Sequence, residues 1–177
     1  MIPFREHNAE VLYAEDRIVK VDRQDIEFLV ARAAENPRQR IRLCAHKDVN
    51  DKLHEMLIVH ARDCYVRPHK HLAKTESFHI IDGMVDIVLL DETGRIIEVV
   101  PMGGYSTGRK FFYRLADPYY HTLLIRSDHV VFHEITNGPF DRGDTMFAPW
   151  SPELEDVSGV ARFMKELARQ VEHHVAA

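Results

Sequence analysis

Pro68-His69-Lys70-His71 is the segment of this sequence richest in chemistry. In an extended strand alternate side chains share a face. His69 and His71 therefore project together, roughly 6–7 Å apart at Cα, which suits two ligands of one ion. Glu76 follows beyond a short bend through Leu72–Thr75 and can reach back from the next strand. Asp82-Gly83 supplies the turn that ends that strand. A His-x-His pair alone is more often two surface or hydrogen-bonded histidines. Glu76 and Gly83 at their offsets move the reading to a metal site. His121, in Pro118-Tyr119-Tyr120-His121, is the candidate fourth ligand. It opens the run HTLLIR, with Leu123 and Ile125 on its own strand face. A histidine heading an apolar inward row needs a partner there, either an ion or a backbone carbonyl.

Glu134 is the candidate proton carrier. If Ser127-Asp128 is a two-residue hairpin turn, Arg126 pairs with His129, Leu123 faces Phe132 and His121 faces Glu134. Glu134 then points inward, either to orient His121 or to act as a general base. A three-residue loop reverses the strand, turning Glu134 out and His133 in. Arg67 shares strand parity with His69 and is a candidate for binding a substrate carboxylate or phosphate at the pocket rim. The alternative for Arg67 is a solvated strand-end charge, and Lys74, in the bend before Glu76, has the same two readings. His54 and His60 share a strand face with Met56 and Ile58. His79 has the parity opposite to Glu76, and His173-His174 reads as solvated. Cys64 reads as buried and inert, since nothing near it lowers a thiol pKa.

The elements that must hold these groups are mostly strands. From Ile41 to Phe147 the apolar residues come in short runs: IRLCA, HEMLIVHA, SFHIID, MVDIVLLD, RIIEVV, KFFYRL, HTLLIR and HVVFHEI. Turn chemistry separates them at Asp82-Gly83, Asp91–Gly94, Gly103-Gly104 and Ser127-Asp128. So many short strands without alternating helices point to a sandwich or closed barrel, not a parallel α/β fold. Ahead of them, a short strand is expected around Arg17–Val21. Asp22 then caps a helix over about Arg23–Glu35, in which Ile26, Leu29, Val30 and Ala33 form one apolar stripe. Pro37 stops it. After the strands, Ser151-Pro152 fits a cap and first helical position. Val160, Met164, Leu167 and Val171 continue a helical face over the outside of the barrel.

With 177 residues the chain is one domain by length. Its expected parts are an N-terminal strand and helix extension (1–40), a β-barrel core (41–148) and a C-terminal helix (149–177). The net charge of -5 argues against a nucleic-acid surface. No apolar run approaches a membrane span. The opening MIPFREHNAE carries acids and no apolar core of a secretory signal, and two cysteines suit a reducing compartment, so a cytoplasmic location is expected. Twelve histidines make a metal site worth seeking.

The spacing of His69, His71, Glu76 and Gly83 resembles the first metal motif of the cupin superfamily, and His121 falls where the second motif supplies its histidine. The surrounding text is similar to one subgroup, the WbuC-type cupin-fold metalloproteins. The matching stretches are Arg42–His46 (RLCAH), His54–His60 (HEMLIVH), Pro68–His79 (PHKHLAKTESFH), Tyr120–Leu123 (YHTL), His133–Phe140 (HEITNGPF) and Ala148–Glu153 (APWSPE). Asp63, Ala116, Pro118 and Ile125 depart from the usual cupin pattern. The resemblance implies a mainly β fold, the double-stranded β-helix or jelly-roll barrel, with metal bound inside and often a homodimer. It associates the chain with bacterial surface-polysaccharide clusters, whose reaction for this subgroup is not established.

Three imidazoles and one carboxylate leave two positions open in a six-coordinate ion. Iron(II), manganese, nickel, cobalt and zinc all suit this set. The leading expectation is a metal-dependent enzyme acting on a small polar molecule, such as a sugar or sugar-phosphate derivative, by isomerisation or epimerisation. The ion would serve as Lewis acid, Glu134 would move a proton, and Arg67 and Lys74 would hold an anionic part. Alternatives are a metal-dependent oxygenase using the open positions for dioxygen, a non-catalytic ligand-binding barrel, and a purely structural ion.

Overall fold

The computed structural model describes residues 1–176. The first helix, α1, runs Arg23–Glu35. Asp22 accepts from the amides of Gln24 and Asp25, while Asp25 accepts in return from the Asp22 amide, so three otherwise orphaned donors are satisfied at once. Its stripe packs Leu29 and Ala33 against Ile41, Leu43, Val59 and Val131. Upstream, the expected strand at Arg17–Val21 is absent. The strands are β1 (Phe4–Asn8) and β2 (Val11–Ala14), a hairpin whose second strand lies parallel on β3 (Arg40–Cys44). Val11, Leu12 and Tyr13 can all be buried there, whereas Ile18 stays exposed.

The remaining strands are β4 (Leu53–Ala61), β5 (His69–His71), β6 (Glu76–Leu90), β7 (Ile96–Gly103), β8 (Phe112–Leu115), β9 (Tyr120–Asn137) and β10 (Thr145–Phe147). Two of them, β6 and β9, are long and lie antiparallel along each other. The first half of β6 and the second half of β9 belong to one sheet, ordered β1-β2-β3-β4-β9-β6-β8. Their other halves belong to a second, ordered β10-β5-β9-β6-β7. The fold is mainly β, a jelly-roll barrel with an N-terminal and a C-terminal helix, as its strand-rich text led us to expect.

Two expected turns are not turns. Asp82-Gly83 lies inside β6 and Ser127-Asp128 inside β9. The register steps from Gly83↔Val130 to Val85↔Ile125, so residues 126–129 of β9 bulge opposite Met84. Gly83 takes φ +81°, and a Cβ there would lie 2.2 Å from the His129 carbonyl oxygen. Ser127 Oγ accepts from the Met84 amide at 2.8 Å. Bulges and hairpin turns draw on the same residues, since both need positive φ and local side-chain hydrogen bonds. Here the bulge bends continuous strands from one sheet into the other. The hairpin register expected for His121 and Glu134 is therefore replaced: His121 sits opposite Leu89, and Glu134 opposite Met56 and Phe78.

Between the sheets lie Phe78, Ile80, Val85, Ile87, Leu123, Ile125 and Phe132. The second helix, α2 (Val157–Ala176), covers the outside of the second sheet and sets Leu167 and Val171 on Val88, Leu90, Tyr120 and Leu124. It starts later than the Ser151-Pro152 signal suggests. Asp156 accepts from the Gly159 amide at 2.9 Å in the capping position. Ser151 instead donates to the Ala148 carbonyl and accepts from Arg67.

Candidate metal centre

His69 and His71 sit two residues apart on β5, on one face of a strand held between β10 and β9. His69 lies directly opposite His121, and the ring centroids of this pair are 4.4 Å apart. Ligating atoms of His69, His71 and His121 all fall within 4.8 Å of one another. Glu76 opens β6 and brings its carboxylate into the same space. Its Oε2 is 3.3 Å from His71 Nε2 and its Oε1 2.9 Å from His121 Nε2. The structure thus brings together the three histidines singled out as ligands and sets the Glu76 carboxylate against two of them, His71 and His121.

The far side of each ring is also tied down. His69 Nδ1 lies 2.8 Å from the Arg67 carbonyl, and His121 Nδ1 lies 3.2 Å from the Tyr119 carbonyl. A carbonyl only accepts, so Nδ1 carries the proton and Nε2 of the neutral ring is a bare lone pair. His71 Nδ1 meets Thr145 Oγ1 at 3.2 Å. The carbonyl partner expected of a core histidine and the inward nitrogen expected of a ligand thus occur together in His121. The Tyr119 carbonyl, not Glu134, orients that ring.

Electrostatics give the cluster a reason to bind a cation. Glu76 is buried, and its Oε1 has no hydrogen-bond partner despite its approach to His121. Burial works to raise its pKa, but His121, His71 and His69 outweigh it and hold the carboxyl well below the usual range. Burial opposes charge on His121, yet Glu76 raises that imidazole above its ordinary value. His69 is pushed down to about 3 by burial and by the neighbouring His121. Lone pairs from Nε2 and Oε1 at 2.9 Å repel unless positive charge lies between them, either a proton or a metal ion. Metal bonds of about 2.1 Å at right angles separate adjacent donors by about 3.0 Å. The observed 2.9 and 3.3 Å fit that spacing.

The cluster opens on a cavity of about 550 Å³ inside the barrel. Glu134 lines it, on the same face of β9 as Phe132. Burial and the Glu76 charge push its carboxyl up to about 8. Arg67 and Lys74 line it too, with different commitments. The Arg67 guanidinium binds Ser151 Oγ at 3.1 Å, pairs with Glu153 and lies over the Phe147 ring. Lys74 is buried, and its nearest carboxylate oxygen, on Asp144, is 3.9 Å away. Sequence reasoning missed Arg42 and Arg142, which also line the cavity. The alternation Arg38, Arg40, Arg42 was a period-two signal for one strand face. His54 and His60 line the cavity together with Met56, the residue whose strand face they were expected to share, and His79 lies outside it, against Phe111. Cys44 and Cys64 are buried, and burial pushes their thiols up to about 11 and about 12.

Residues 21–102 match a family described as a domain of unknown function (DUF6016), a match covering less than half of the chain. No curated protein matches the sequence. Among solved structures, the capsular polysaccharide assembling protein CapF from Staphylococcus aureus is 19% identical, with a TM-score of 0.45 over 55% of this chain and 27% of that one. Oxalate decarboxylase from Bacillus subtilis is 16% identical, with a TM-score of 0.45 over 68% of this chain and 31% of that one. A sugar phosphate isomerase of the cupin superfamily from Silicibacter pomeroyi is 16% identical, with a TM-score of 0.39 over 50% of this chain and 52% of that one. The chain therefore spans about half or less of each of these proteins. These partial likenesses carry no inference about activity. None of the described helices is long and apolar enough to cross a membrane.

Proposed function

We propose that this chain is a cupin-type metalloprotein whose His69, His71, His121 and Glu76 hold one divalent transition-metal ion. We further propose that it is an enzyme acting on a small, oxygen-rich molecule. The observation that carries this reading is the convergence of three imidazoles with a buried carboxylate, whose oxygens lie 3.3 Å from His71 Nε2 and 2.9 Å from His121 Nε2. Bound there, the ion supplies Lewis acidity, drawing in adjacent substrate oxygens and polarising a carbonyl or hydroxyl. Glu134 takes and returns a proton at the atom next to those oxygens. Burial, the larger cause of its raised proton affinity, remains when an ion offsets the Glu76 charge and keeps the carboxyl above the ordinary glutamate range, as suits a general base of an isomerase or epimerase. Of the two candidate substrate-holding residues, Lys74 has the less committed charge, since Arg67 is already paired. The sugar-derivative substrate, the link to surface polysaccharide and the homodimer come from the WbuC-type resemblance and belong to this proposal.

The test is elemental analysis of tag-free protein alongside His69→Ala and Glu76→Gln. Wild type is expected to carry about one ion per chain and the variants much less. Stoichiometric metal in both variants would remove these residues as ligands.

A further inference from the structure

We propose that Arg67 and Ser151 are positioning residues for His69. Their contact fixes the Arg67 peptide, whose carbonyl holds the His69 ring with Nδ1 protonated and leaves Nε2 bare. Arg67 then acts through its backbone and not as the holder of a substrate anion. The geometry stands by itself, and only its consequence for metal affinity rests on the metal reading.

The Arg67 carbonyl lies 2.8 Å from His69 Nδ1, two residues along the chain. No strand ladder places it, because residues 62–68 lie between β4 and β5 and belong to no strand. Its neighbours are held from outside the segment. The Val66 carbonyl accepts from Thr122 Oγ1 at 2.6 Å, and the Pro68 carbonyl accepts from the Ala148 amide at 2.8 Å. The Arg67 side chain completes the arrangement. It is only 15% exposed; its Nε donates to Ser151 Oγ at 3.1 Å, its Nη1 pairs with Glu153, and its guanidinium carbon is 4.9 Å from the Phe147 ring centroid. Ser151 Oγ donates in turn to the Ala148 carbonyl at 2.7 Å. The contacts therefore run from the Arg67 side chain through Ser151 and Ala148 back to Pro68, beside the residue where they began. Phe147, under the guanidinium, sits opposite His69 across β10 and β5. Tyr65 adds a second strut from the same segment, its hydroxyl donating to the Pro152 carbonyl at 3.1 Å.

The partner of one imidazole nitrogen decides which nitrogen carries the proton. At a separation of about 3.6 Å a hydrogen bond no longer exists, so a drift of under an ångström in the Arg67 peptide would release Nδ1 from its observed 2.8 Å. The proton could then move to Nε2, which would have no lone pair to offer an ion. Holding that peptide is what the ring of contacts through Ser151 accomplishes.

The experiment reads the His69 tautomer by long-range proton–nitrogen NMR of the metal-free full chain, and manganese affinity by competitive chelator titration. The variants are Arg67→Met and Ser151→Ala, with thermal melts to establish folding. Methionine keeps an apolar stem over Phe147, and Glu153 is 67% exposed, so losing the pair strands no buried charge. Wild-type His69 is expected to carry its proton on Nδ1. Arg67→Met should give a mixture of both tautomers and manganese binding about tenfold to a hundredfold weaker. Ser151→Ala should move the tautomer the same way and cost about threefold to tenfold in affinity. If Arg67→Met does not fold, Ser151→Ala decides alone. Folded variants with wild-type tautomer and affinity overturn the proposal. A lower melting temperature with the tautomer unchanged also overturns it, since that is what a purely structural role gives. If manganese binds but neither variant alters His69, the positioning role fails and the metal reading stands. If manganese does not bind but the variants release the ring, the metal reading fails and the positioning role stands.

Discussion

Glu134→Gln should change how the stability of the metal-free protein depends on pH. An ordinary glutamate titrates near 4.5, and burial with the Glu76 charge lifts Glu134 to about 8. Across that interval the folded state binds more protons than the unfolded state. The stabilisation is therefore complete below about 4.5 and is lost as pH rises toward 8. At about 1.4 kcal/mol per tenfold in proton affinity, the full interval sets an upper bound of about 5 kcal/mol. The effective dielectric of a protein interior beside a cavity screens both burial and repulsion, so we expect on the order of 2–3 kcal/mol. His121, raised chiefly by Glu76 against the effect of burial, adds a loss in the same direction above its ordinary value, and the variant keeps most of it because Glu134 is the smallest of the named causes. Urea unfolding with a chelator at pH 5.5, 7 and 9 would measure both proteins. Relative to wild type, the glutamine variant should gain about 2–3 kcal/mol between pH 5.5 and 9. Parallel stability curves would refute the buried, proton-holding carboxyl and the acid–base role built on it. A metal ion at the histidines would offset the Glu76 charge, so loaded wild type should show a shallower decline.

Four further outcomes follow from the packing and the site. Gly83→Ala should cost more than about 3 kcal/mol in urea unfolding, because positive φ and the His129 carbonyl both oppose a Cβ; a cost under about 1 kcal/mol would contradict the bulge geometry. Thr145→Val, which removes the Nδ1 partner of His71, should weaken metal affinity about 10–100-fold in a competitive chelator titration, and unchanged affinity would show that this contact does not orient the ring. Leu29→Ala should lower stability by about 2–5 kcal/mol while leaving metal stoichiometry intact, since it empties the interface under α1 and not the barrel interior; loss of bound metal in a folded variant would contradict that separation. Cys44 and Cys64 should resist a thiol reagent at pH 8 until the chain is unfolded, and rapid labelling of the native protein would show that they are not buried.

Local signals and long-range connections were not equally legible. The first helix could be read to its ends, because Asp22 and the stripe through Leu29 and Ala33 are contained in a few consecutive residues. The strands could be read as apolar runs, but their joins could not. Asp82-Gly83 and Ser127-Asp128 carry turn chemistry, and only the packing of two sheets decides that the chain continues through them. Glu134 lines the cavity for a reason other than the expected hairpin: β9 keeps the inward parity of Phe132 after its bulge. His69, His71 and Glu76 were legible because they lie close in sequence on strands of known period. Arg42 was not, since an alternating arginine run reads as a solvated edge until the cavity beside it is seen.

The most direct test is an anomalous-scattering map from crystals of manganese- or zinc-loaded protein. The account predicts one peak inside the barrel, bonded at about 2.0–2.3 Å to nitrogens of His69, His71 and His121 and to a Glu76 oxygen. A fully loaded protein whose only peak lies elsewhere would contradict it.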